Sequence, residues 1–128
     1  MRHVLDASAL LAGLKDEAGA DWVGDHLDFS VVSSVNLAEV VSGLVRHGST
    51  SAEARAAVRA LSCTVVAADE ALAIEAGLMR SVTDAAGLSL ADRFCLALAK
   101  RLGAPAATTD LAWSRVAAAV GVEVRLIR

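Results

Sequence analysis

Aromatic side chains are scarce: two Trp, two Phe and no Tyr in 128 residues. That excludes a binding platform on which successive bases of a single strand stack, and it leaves the interior to Ala, Val and Leu. The two cysteines, Cys63 and Cys95, are too few for a disulfide framework and lack metal-ligand spacing. Both sit among apolar residues and read as small buried hydrophobes in a reducing compartment. The histidines His3, His26 and His47 share no metal-binding spacing and read as surface or structural groups. Proline occurs once, at Pro105, so no Pro-rich linker divides the chain. A positive excess is also lacking: 12 bases stand against 15 acids, a net charge of −3. No global field draws nucleic acid to this surface, although Arg46, Arg55, Arg59, Arg80, Arg93, Lys100 and Arg101 leave room for a local patch. Glycine-rich phosphate loops and nucleophile elbows are absent.

Long hydrophobic runs are missing too. Hydrophobic residues make up 55% of the chain, yet no stretch approaches the roughly 20 residues that span a bilayer. The longest are cut by Asp92, Arg93, Lys100, Arg101 or Asp110, and Asp6 breaks any signal-peptide core near the start. The expectation is a soluble, cytoplasmic chain without membrane association.

What is present is an alternation of short apolar runs and helical patterns. The length fits one domain, 1–128, with one core. Strands are predicted at 3–5, 29–33, 63–67, 106–109 and 122–127, and helices at 7–14, 16–27, 36–47, 51–61, 69–84, 89–102 and 111–120. In the second helix Ala18, Trp22, Val23 and Leu27 are expected to face inward. Strands alternating with helices imply a three-layer α/β/α sandwich on a central, mainly parallel sheet. In such sheets the functional site lies beyond the carboxyl ends of the strands. Asp6, after Val4-Leu5, and Asp110, after Ala107-Thr108-Thr109, occupy that kind of place.

Each candidate acid also has a plain structural reading. Asp6 and Asp110 precede helical segments and suit N-caps. Asn36 and Glu39 have capping-box spacing, as do Ser89 and Asp92, and Thr50 and Glu53 show the same pattern on a polar helix start. Asp92 goes further, because Cys95, Leu96 and Ala99 place it on an apolar helix face, where an unpaired charge is costly without a partner or a cation. Glu39 shares a polar stripe with Ser42, Gly43 and Arg46, so exposure is its alternative. Gathering four carboxylates is repulsive by several kcal/mol per pair. A divalent cation removes that objection, and all-oxygen donors suit Mg2+ or Mn2+.

The segments Leu5-Asp6-Ala7-Ser8-Ala9-Leu10, Asn36-Leu37-Ala38-Glu39-Val40, Gly87-Leu88-Ser89-Leu90-Ala91-Asp92-Arg93 and Thr108-Thr109-Asp110-Leu111-Ala112-Trp113, in this order, resemble the signature of the PIN-domain family, in particular its VapC-type toxin ribonucleases. The resemblance covers essentially the whole chain. It implies a PIN-like fold, Mg2+- or Mn2+-dependent endoribonuclease activity leaving a 5′-phosphate and a 3′-hydroxyl, and Asp6, Glu39, Asp92 and Asp110 as the acidic site. It also implies a toxin of a type II toxin–antitoxin pair, a small antitoxin protein that occludes the site, and a homodimer. Within that frame Asp6 and Asp92 are the first candidates for direct metal contact. Asp110 binds directly or through water, and Glu39 holds a water or helps deprotonate the nucleophile. Ser8 and Thr108 are secondary candidates that orient a carboxylate or a water, with local helix capping as the alternative. Arg93 is expected to be a solvated helix charge rather than a contact to substrate phosphate or a partner of a nearby acid.

Two other functions compete. Another Mg2+-dependent α/β phosphohydrolase of the haloacid-dehalogenase type needs a second Asp where Ser8 stands, and a receiver-type domain needs an acid pair at the first strand and a late lysine. A non-catalytic binding or dimerisation module would be favoured by a broken quartet, but the quartet is complete. The apolar excess over 35–45 suggests a partner surface.

Overall fold

The computed structural model describes residues 2–128, so residue 1 of the expected domain lies outside the described residues. Five short strands, β1 (Val4–Leu5), β2 (Val31–Ser33), β3 (Thr64–Val66), β4 (Ala106–Thr108) and β5 (Val124–Leu126), form one sheet in the order β3-β2-β1-β4-β5. Every pairing is parallel, with Val4 opposite both Val31 and Ala106. The chain builds outward from β1 to β3 on one side, then returns to add β4 and β5 on the other. The switch point of the sheet therefore falls between β1 and β4, where open α/β folds place their ligands.

Alternation along the strands creates two cores. Val4, Val31 and Ala106 face one side, and Leu5, Val32 and Ala107 the other. The first face is covered by α5 (Glu70–Leu78), α7 (Leu90–Leu102), the 3-10 turn Leu111–Arg115 and α8 (Ala117–Val120), through Leu72, Cys95, Leu96, Trp113 and Val120. The second is covered by α1 (Ala7–Leu14), α2 (Ala20–His26), α3 (Ser34–Arg46) and α4 (Ser51–Arg59), through Leu10, Val23, Val40 and Ala54. The result is the expected α/β/α sandwich. Both cysteines are buried and free, as their apolar surroundings indicated. Among the described residues no helix is long and apolar enough to cross a membrane.

Several boundaries differ from the sequence reading. The helix expected over 16–27 forms only as α2, because Asp16 (φ 52) and Gly19 (φ 97) turn the chain into left-handed backbone first. Gly19 also lies so close to Ile127 that a Cβ would meet its carbonyl oxygen at 2.9 Å. Ala18 is consequently exposed rather than inward. The pattern at 69–84 splits into α5 and α6 (Arg80–Thr83), and Thr83 Oγ1 donates back to the Met79 carbonyl at 2.8 Å. The pattern at 111–120 opens as a 3-10 turn, Leu111–Arg115, before α8. α3 begins two residues early, directly out of β2, with Ser33 rather than Asn36 as its cap.

Arg93 corrects an expectation. It is 8% exposed, not solvated: Nε donates to Thr83 Oγ1 at 3.1 Å and Nη2 to the Leu88 carbonyl at 3.2 Å. A guanidinium with five fixed donors suits this bridging task across the turn between α6 and α7. Replacing it by methionine is expected to destabilise the fold by about 1–3 kcal/mol, because buried acceptors lose their donors. Chemical denaturation reads this directly, and an unchanged midpoint would remove the bridge from the account.

Candidate active site

The carboxyl edge of β1 leads straight into Asp6, the N-cap of α1, whose Oδ1 accepts from the Ala9 amide at 2.8 Å. This confirms the capping reading without exhausting the residue. Ser8 Oγ donates to both carboxylate oxygens, at 2.7 and 2.9 Å, and Thr108 Oγ1, at the end of β4, donates to Oδ2 at 2.6 Å. The two hydroxyls tie the strands' ends together, since Ser8 Oγ accepts from the Thr109 amide (3.0 Å) and Thr108 Oγ1 from the Asp110 amide (3.1 Å). Asp6 is 4% exposed, and burial pushes its carboxyl up to about 6 against the lowering effect of these hydrogen bonds. The nearby charge of Asp92 raises it further.

Asp92 arrives from α7. It completes a capping box with Ser89, accepting from the Ser89 amide at 2.9 Å while its own amide donates to Ser89 Oγ at 3.2 Å. Cys95, Leu96 and Ala99 behind it are fully buried, so the helix face it shares with them is turned to the core, and Asp92 itself is half-buried. Burial raises its pKa, as does the negative charge of Asp110. Asp110 follows β4, accepts from the Ala112 amide at 2.9 Å and is exposed.

Glu39 sits on α3, half-buried, and its pKa is raised by burial and by the charge of Asp92. The expected capping box with Asn36 is not formed. Asn36 is instead fully buried; its Oδ1 accepts from Ser33 Oγ at 2.6 Å, while Nδ2 donates to Glu39 Oε1 (3.2 Å) and to the Ala91 carbonyl (3.0 Å). It thus pins Glu39 next to the residue preceding Asp92, a role the sequence reading missed. The available signal was a polar amide inside an otherwise apolar helix.

The four acids are linked in pairs through Asp92, which acts on Asp6 and Glu39 and is itself acted on by Asp110. Among the described residues none of the four makes a salt bridge to a Lys or Arg. Neither do three His, Cys, Asp or Glu side chains gather closely enough to hold a metal ion as they stand. Uncompensated carboxylates repel by several kcal/mol per pair when brought together, and a cation would offset that repulsion. The donor chemistry fits one: all donors are oxygen. Asp6 uses three donors against about four lone-pair sites, leaving room for a further partner. The other polar candidates lie elsewhere. His3 and His26 pack edge-to-face at 5.4 Å, and Trp22 stacks on His26 at 4.0 Å, a structural aromatic cluster.

An α/β/α domain with acids at the switch point of a five-stranded parallel sheet is a recognisable class of architecture. Residues 3–119 match the PIN domain family, and the chain belongs to it. No curated protein matches it in sequence. Its fold is that of solved VapC structures. The VapC20 toxin of Mycobacterium tuberculosis, described as cleaving the sarcin-ricin loop, superposes with a TM-score of 0.74 at 19% identity, covering 91% of this chain and 95% of that one. The DNA-bound VapBC of Salmonella typhimurium gives 0.76 at 19% identity, covering 100% and 99%. VapBC-5 of Mycobacterium tuberculosis, a member of the VapBC toxin–antitoxin family, gives 0.68 at 21%, covering 98% of each chain.

Proposed function

We propose that this chain is a Mg2+- or Mn2+-dependent endoribonuclease acting as the toxin of a type II toxin–antitoxin pair. The observation that carries the reading is the coupling of Asp92 to Asp6, Glu39 and Asp110, none of the four salt-bridged among the described residues, with Asp6 and Asp110 following the two strands that flank the sheet's switch point. Membership of the PIN-domain family supports it. So does likeness in fold to a toxin described as cleaving the sarcin-ricin loop and to a protein described as a toxin–antitoxin complex. A small antitoxin protein that covers the acids is the expected partner, and a cytoplasmic homodimer the expected state. Ile74 and Leu78, more than half exposed one helical turn apart on α5, offer an apolar face for the second copy.

Asp6 and Asp92 would hold the cation, with Asp110 assisting directly or through water. When bound, it offsets the acids' charge and that of a phosphodiester, and favours ionisation of a water. The chain's own groups do the rest. Ser8 and Thr108 fix the plane of the Asp6 carboxylate. Asn36 fixes Glu39, whose raised pKa suits accepting a proton from the attacking water. The rival reading is a non-catalytic binding module, and it draws on the wide spacing of the acids.

Purified chain, freed of any partner, is expected to cut RNA with Mg2+ or Mn2+, to stop on addition of EDTA, and to lose activity in Asp92→Asn. Expression is expected to arrest host growth unless the antitoxin is co-expressed. Cleavage that survives both EDTA and Asp92→Asn would reject the assigned site, and RNA left intact under all conditions would favour the binding module.

A further inference from the structure

A groove of about 240 Å3 runs between α1 and α3, lined by Ala7, Leu11, Glu39, Ser42, Gly43 and Arg46. One end adjoins the acids, for it includes Glu39 and the neighbour of Asp6. The other end is basic. Glu39 and Arg46 are seven residues apart on α3, two turns, so they share a face about 10 Å apart along the helix axis. Gly43 forms the floor between them: a Cβ there would meet Leu11 Cδ1 at 2.9 Å, so the two helices approach too closely for a side chain to fill the groove.

The guanidinium of Arg46 is exposed, and among the described residues it makes no hydrogen bond or salt bridge. The nearby cations at the same end are engaged. Lys15 Nζ lies 3.8 Å from Glu17 and 3.4 Å from His47 Nε2, and His47 Nδ1 lies 2.7 Å from the Gly43 carbonyl. The plain role of Arg46 is to complement the negative end of the α3 dipole. That role does not require it to line a groove that opens onto the acids. A chain of net charge −3 with no global positive field needs local cations to seat a polyanion, and Arg46 is an unpaired one in line with the acids.

We propose that the α1–α3 groove is the track for the RNA strand on one side of the cleaved bond, with Arg46 binding a backbone phosphate one or two nucleotides from it. This rests on the ribonuclease reading and adds a binding residue to it. The contact is electrostatic and carries no base specificity, so it acts on affinity rather than on the chemical step.

The test uses a short, fluorescein-labelled, single-stranded RNA of mixed sequence. Its binding is followed by anisotropy across a salt series with the Asp6→Asn protein in Mg2+, and its cleavage is followed with the otherwise unchanged protein. Arg46→Ala is expected to weaken binding and raise KM by about tenfold with kcat nearly unchanged. The slope of log affinity against log salt should shrink by about 0.7. Arg46→Lys should restore most of the affinity, and Arg55→Ala, an exposed cation on α4, should change neither quantity. Unchanged affinity and salt slope in Arg46→Ala, or an equal effect from Arg55→Ala, overturns the groove and leaves the nuclease reading standing. Arg46-dependent binding by a chain that never cuts RNA keeps Arg46 as a phosphate contact, but removes the ribonuclease reading and with it the groove's place beside a cleaved bond. A chain that does not bind the RNA at all removes the groove.

Discussion

Asp6→Asn is expected to abolish RNA cleavage, by at least about a hundredfold, while making the metal-free protein more stable at neutral pH. The two effects have one cause. The Asp6 carboxyl is 4% exposed and pushed up to about 6 from 3.8 by burial, so the folded state resists ionising it. Because the folded pKa exceeds the unfolded one, the folded state binds more protons between those values. The stability this group contributes is fully present below about pH 4 and is lost as pH rises through about 6. About two pKa units correspond to an upper figure of about 3 kcal/mol at neutral pH. Asparagine does not ionise, and its amide oxygen can still accept from the Ala9 amide, so the helix cap survives. Melts in EDTA should show Asp6→Asn higher by several degrees at about pH 7.5, with the difference gone at about pH 4. An Asp6→Asn protein that melts at or below the unsubstituted chain at neutral pH would mean that burial of this charge is relieved some other way.

Thr108→Val is the second substitution with a large expected effect. Thr108 Oγ1 donates to Asp6 Oδ2 at 2.6 Å and accepts from the Asp110 amide at 3.1 Å, so one hydroxyl links two of the acids. Valine keeps the shape, removes both bonds and leaves a backbone donor without its acceptor. The loss of a hydrogen bond that favours the ionised carboxylate drives the Asp6 pKa further up. Protons compete with the cation for this carboxylate, so at sub-saturating Mg2+ the rate rises with pH, and the rise should move to higher pH in Thr108→Val. Activity near neutrality is expected to drop about 10- to 100-fold, the usual scale for groups that orient a metal ligand. Thr108→Ser, which restores the hydroxyl, should recover most of the rate and return the pH profile. A profile that does not move in Thr108→Val would reduce the hydroxyl to a helix-end contact.

These expectations depend on features of unequal visibility in the sequence. The acids could be picked out because Asp6 and Asp110 follow apolar runs and Asp92 lies on an apolar helix face, patterns that local rules read. Asn36 could not be assigned its bonds, since a cap and a buried bridge use the same amide at the same spacing from Glu39. The bonds from Nδ2 to Glu39 and to the Ala91 carbonyl, 55 residues away, exist only when α3 packs on α7. Arg93 was misread for the same reason: its acceptors lie on a turn whose path back over the arginine no periodicity encodes. The early start of α3 is a smaller case, decided by the Ser33 hydroxyl capping the Asn36 amide.

By itself the sequence determined the alternation of strands and helices, the burial of both cysteines and the three layers, because period and side-chain volume act over a few residues and survive any tertiary context. It also named the four acids, though each with a capping alternative. Only the tertiary structure decided that the sheet turns back between β1 and β4, and so brought Thr108 to Asp6 across 102 positions. Only packing decided that Asp92 lies close enough for its charge to raise the pKa of both Asp6 and Glu39. Electrostatic coupling depends on distance in space, and distance in space is set by how whole elements pack, not by any short stretch of chain.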